Sequence, residues 1–165
     1  MIDPLAKLID ALREELQSYG SLLALLDQQQ ESVFSRAAEA LHISVGAIHE
    51  QAGVLHAARL LRDTCRQEVA LALQLPGDAP FGLLIPLVPT DYQPLLQALV
   101  QENNELLVRV QQRARQNHLL LSRSVDLMQQ FIGSLLPGRE TFTYTGVGRG
   151  RAGTQPVSAV LDAAG

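Results

Sequence analysis

Apolar residues recur every third or fourth position from Leu5 onward, at Leu8, Ile9, Leu12, Leu16, Tyr19, Leu23, Leu26, Val33, Ala37 and Leu41. Such steps put one buried stripe on a helix. Asp3 before Pro4 predicts its start, because a carboxylate accepts from free N–H groups and proline suits the first turn. Gly20 and Gln28-Gln-Gln30 dilute the stripe, yet it resumes in phase, so one helix over about 4–41 is expected. His42-Ile-Ser44 offers a corner, with Ser44 as candidate N-cap of a second helix over about 44–75. Its buried face would use Ile48, Leu55, Leu61, Cys65, Val69 and Ala72, and Pro76-Gly77 would end it. Phe81 to Pro89 is apolar but interrupted by Pro86 and Pro89, which predicts a packed connector containing a short helical turn.

Thr90 and Gln93 have capping-box spacing and predict a third helix over about 91–136. Its seam reads Leu99, Asn103, Leu106, Val110, Ala114, Asn117, Leu121, Val125, Met128, Phe131 and Leu135. A helix of that length is roughly 65 Å long. It cannot bury its own stripe and must lie on the other helices, in the same chain or in a second copy, so a homodimer stays open. The expected fold is all-α: an elongated antiparallel bundle of three long helices (1–137) followed by a flexible C-terminal tail (138–165). Pro137-Gly138 stops the helical beat, and the tail is rich in Gly, Thr and Arg.

Composition narrows the function. With 165 residues, one cysteine and no tryptophan, the chain has enough apolar side chains for a core, and no internal disulfide can form. A net charge of −4 gives no indication of a nucleic-acid partner. No apolar run approaches the roughly 18 residues that span a bilayer, and no signal peptide is visible, so no direct membrane insertion and a cytoplasmic location are expected.

Candidate chemistry is sparse. His42, His49 and His56 are seven residues apart, about 10 Å along a helix, whereas helical metal ligands sit three or four apart. Gly146-Val-Gly-Arg-Gly150 lacks the flanking strand, helix and Lys-Ser/Thr of a phosphate loop. Cys65 lies on an apolar face without the partners of a nucleophile, and Glu14-Glu15 belongs to an expected solvated face. Neither an enzymatic activity nor a cofactor or metal site is expected. Asn103 and Asn117 occupy the seam two heptads apart, where a buried amide can fix register or partner, or where a slight rotation would leave both at the edge. Leu106-Leu107 and Leu119-Leu-Leu121 widen the stripe, either for a partner helix or for packing within the bundle.

Asn104-Glu-Leu-Leu107 and Asn117-His-Leu-Leu120, then Pro137, then Tyr144 to Gly148, resemble the FlgN family of flagellar type III export chaperones. That family pairs an Asn-rich long helix with a proline break and a Tyr-Gly-Ala-Asp-Gly tail. Here Tyr144 and Gly148 are kept, while Thr145-Gly-Val147 departs from the pattern. The resemblance implies a cytosolic chaperone that binds hook-associated junction proteins and brings them to the cytoplasmic domain of the export-gate membrane protein. It places substrate binding on the third helix, around Asn117, Leu119, Leu120, Leu121, Val125, Met128 and Phe131. It places the gate contact at Tyr144 and Gly148. The competing reading is a structural coiled-coil protein whose stripe is consumed by self-assembly.

Overall fold

The computed structural model describes residues 2–135. Three long helices dominate: α1 (Ile2–Phe34), α2 (Ala38–Ala72) and α4 (Gln93–Leu135), with the short α3 (Phe81–Leu84) in the connector. Two 3₁₀ turns, Ile85–Leu87 and Thr90–Tyr92, carry the chain past Pro86 and Pro89. The order is up, down, up, so α2 runs antiparallel to its neighbours while α1 and α4 are parallel. This is the expected all-α bundle; the tail expected over 138–165 lies outside the described residues.

α1 is the central helix. It packs along both α2 and α4, whereas those two helices have little direct contact with each other. Serving two neighbours widens its buried face, so Glu15, Ser18 and Gln29 go under along with the leucines. Glu15 is therefore not on a solvated face, as its sequence context suggested; only 3 % of it is exposed. The core has two parts. One joins Leu5, Leu8 and Leu12 to Val69 of α2, Leu84 of the connector and Leu96 of α4; the other joins Tyr19, Leu22 and Leu26 to Leu55 and Val110.

The first corner comes earlier than the sequence predicts. α1 is continuous through Gln28–Gln30 but ends at Phe34 and does not run to 41. Arg36 adopts φ 55°, with Arg36 N–H donating to Val33 O (3.2 Å) and Ala37 N–H donating to Ser32 O (3.1 Å). This paired bonding is a Schellman stop. Ser44 accordingly lies inside α2, buried, with its Oγ donating to Leu41 O at 2.6 Å, and caps nothing. α2 ends the same way, ahead of Pro76: Gln74 adopts φ 61°, and Gln74 and Leu75 N–H groups donate to Leu71 O and Ala70 O. On α2, Leu55, Ala58, Cys65 and Val69 are buried, while Leu61 and Ala72 face outward. The Gln93 side chain, instead of turning back to Thr90, donates to Pro86 O and Val88 O and pins the connector to the start of α4.

Candidate partner-binding surface

α4 is held on α1 by two equivalent amides. Asn103 Nδ2 donates to Leu12 O at 3.0 Å and to Leu99 O at 2.9 Å. Fourteen residues later, Asn117 Nδ2 donates to Leu26 O at 2.7 Å and to Gln29 Oε1 at 3.0 Å. Both bonds to α1 span the same sequence separation of 91 residues, so the two helices keep one parallel register along four turns. Arg113 reinforces it near the end of α1, with Nε 2.7 Å from Asp27 and a guanidinium hydrogen bond to Gln30. Both Arg113 and Asp27 are substantially exposed, so that ion pair adds little stability by itself.

The same register sets Val125 level with Phe34, the last residue of α1. The rest of α4 extends about 15 Å past its neighbour. Its apolar stripe does not stop there. Leu96, Leu99 and Val110 are nearly fully covered, yet Val125, Met128, Phe131 and Ile132 farther along are between 52 and 67 % exposed. Spacing by threes and fours from Leu121 through Val125 and Met128 to Ile132 keeps them on the face that α1 covers upstream. The stripe is exposed because its partner helix ends level with Val125.

The FlgN family model, described as FlgN protein, matches residues 1–152. The chain belongs to the FlgN family. FlgN proteins are flagellar export chaperones. Neither the curated proteins nor the solved structures yield a match to this chain.

In this FlgN chain the expected site residues fall into three settings. Val125, Met128 and Phe131 share the overhanging stripe, and Leu120 and Leu121 lead into it half-buried. Asn117 is 2 % exposed and engaged with α1, so in the free protein it presents the stripe and does not form part of its surface. Leu119 is exposed, but it lies nine residues before Met128, two and a half turns, on the opposite side of α4. Tyr144 and Gly148 lie within the family match but outside the described residues. Ile132 and Leu127 are exposed stripe and flank residues that sequence reasoning missed; the step from Met128 to Ile132 was the available signal.

No described helix is long and apolar enough to cross a membrane. Among the described residues no group of three or more His, Cys, Asp and Glu side chains could hold a metal. Cys65 is buried, and burial pushes its thiol up, away from the reactive thiolate.

Proposed function

We propose that this chain is a cytoplasmic chaperone for hook-associated junction proteins, which it receives on the overhanging end of α4 and delivers to the cytoplasmic domain of the export gate. One observation carries the reading: the apolar face that α1 buries upstream continues over Val125, Met128, Phe131 and Ile132 with no described helix covering it. An amphipathic client helix laid there would take the place of the missing turns of α1 and shield its own apolar side chains from aggregation. Exposed large side chains in helical register are suited to anchoring such a helix. The gate contact is assigned to Tyr144 with Gly148, following the family pattern.

The reading is tested with Met128→Glu/Ile132→Glu. Charges on an exposed face leave the fold intact, so circular dichroism should be unchanged while affinity for purified junction proteins falls at least tenfold, about 1.4 kcal/mol. Wild-type affinity in the double variant rejects the stripe as the client site. Tyr144→Ala should weaken binding to the gate domain and leave client affinity alone; equal gate affinity removes that assignment. Self-assembly through the stripe is separated by solution mass, since a stable oligomer that the double variant dissolves leaves no free stripe for clients.

A further inference from the structure

Because α2 and α4 flank α1 without closing over it, a cavity of about 300 Å³ remains between the three helices, with Phe81 of the connector on its wall. Leu12, Val100 and Leu107 give it apolar sides. Its polar groups are unusual in being buried and incompletely used. Glu15 is nearly fully buried, with Tyr19 on the same cavity wall; Arg62 Nε lies 3.4 Å from both Glu15 Oε2 and Asp63 Oδ1, within ion-pair distance but out of line, and neither Glu15 Oε2 nor Arg62 Nε has a hydrogen-bond partner among the described residues. Arg59, half exposed at the mouth, comes only within 4.0 Å of Glu15 Oε1. Asn103 uses its Nδ2 on two carbonyls, which fixes the orientation of the amide and leaves Oδ1 buried without a partner among the described residues.

We propose that this cavity is a receptor for a carboxamide side chain, glutamine or asparagine, carried by a protein segment that lies in the groove between α2 and α4. The inference does not depend on the client assignment of the α4 overhang. Two buried acceptors, Glu15 Oε2 and Asn103 Oδ1, face the cavity without a hydrogen-bond donor among the described residues, and the Arg59 and Arg62 guanidiniums beside Glu15 keep N–H groups for a further acceptor. A primary amide presents both within one planar group, on a short apolar stem that suits the leucine sides. A carboxylate has no donor for Glu15 or Asn103. A lysine or arginine would bring a third cation beside Arg59 and Arg62. An aliphatic side chain would leave both acceptors unpaired.

The test uses the full chain, labelled for NMR, titrated into the millimolar range with N-acetyl-glutamine N-methylamide, whose side chain is its only primary amide, and separately with the glutamate and methionine N-methylamides. Saturable shifts of the Asn103 side-chain amide and Leu107 methyls with the glutamine compound, about tenfold stronger than with either analogue, support the site. Arg59→Ala, at an exposed position, should weaken that response with the spectrum otherwise preserved. Glu15→Gln removes the negative charge and exchanges one acceptor oxygen for a donor, and should move the preference toward the glutamate analogue, a reversal that a purely structural role for Glu15 does not produce. No saturable response in the folded wild-type chain, or equal responses to all three compounds, overturns the proposal and leaves a cavity filled by water only.

Discussion

Each buried asparagine puts a primary amide where leucine would bury more apolar area. Asn103 and Asn117 donate to carbonyls of α1 that lie fourteen residues apart, matching their own separation. A slip of α4 by one turn would strand both amides against apolar side chains, so the pair selects one register among several that the leucines alone would accept. Either Asn→Ala change should cost about 1–3 kcal/mol in denaturant unfolding, through lost hydrogen bonds and a small void. The double Asn103→Leu/Asn117→Leu variant should keep or raise the melting temperature while its amide NMR lines broaden or its mass increases, as register becomes degenerate. Sharp lines from a monomeric double variant would show that the amides do not specify register. Glu15 supplies a second test. Burial raises its carboxyl above the usual 4.5, and the opposing pull of Arg62, Arg59 and the Tyr19 hydroxyl is smaller. The folded chain then holds this proton more tightly than the unfolded chain. The resulting stabilisation is present below the unfolded value and is lost as pH rises through the folded one. Unfolding free energies of wild type and Glu15→Gln compared from about pH 4 upward should show wild type losing ground as pH rises. A gap that is independent of pH contradicts the sign.

Between the helices, the two stops use the same device with unexpected residues. Arg36 and Gln74 sit at positive φ, where an L side chain costs roughly 1 kcal/mol or more relative to glycine. Gln74→Gly should therefore raise stability by about 0.5–1 kcal/mol, read as an increase in denaturant midpoint at constant m-value. A loss would mean that glycine's greater unfolded-state freedom outweighs the relieved strain. These residues also explain what could be read in advance. Helix number, the Leu5–Leu26 face and the extent of α4 follow from periodicity, which needs only local spacing. The corner at Ser35–Ala37 was invisible because neither stop carries the glycine that marks a Schellman turn in sequence, and Ser44, which imitates a cap, lies inside α2. Glu15 was misplaced for a different reason. Its burial depends on α1 having neighbours on two sides, which no single-helix pattern reports. Of the residues that the family resemblance puts forward for client binding, Val125, Met128 and Phe131 lie on the exposed stripe; spacing alone sets Leu119 on the other side, whereas the burial of Asn117 required knowing how far α1 reaches.

For the whole molecule, helix length decides which part of the apolar face of α4 the described helices cover. α1 and α4 start level and share one register, but α4 has 43 residues against 33, and the difference is the unpaired stripe. Stability and partner binding should therefore separate along the chain. Side chains that remain exposed contribute little to the folded state, since the free energy follows the apolar area removed from water. Leu96, by contrast, is 1 % exposed within the first core cluster, and Leu96→Ala should cost about 2–5 kcal/mol. A chain ending at Ser124 keeps both asparagine contacts and both clusters and loses only the overhang and the residues beyond it. Its unfolding free energy should fall by less than about 1 kcal/mol, while junction-protein binding disappears. A chain ending at Leu135 should restore client binding without restoring the gate contact assigned to Tyr144. If the shorter chain instead unfolds several kcal/mol more easily than the full one, residues beyond Ser124 pack onto the bundle. The stripe would then be a covered intramolecular face, and a client would have to displace its cover before it could bind.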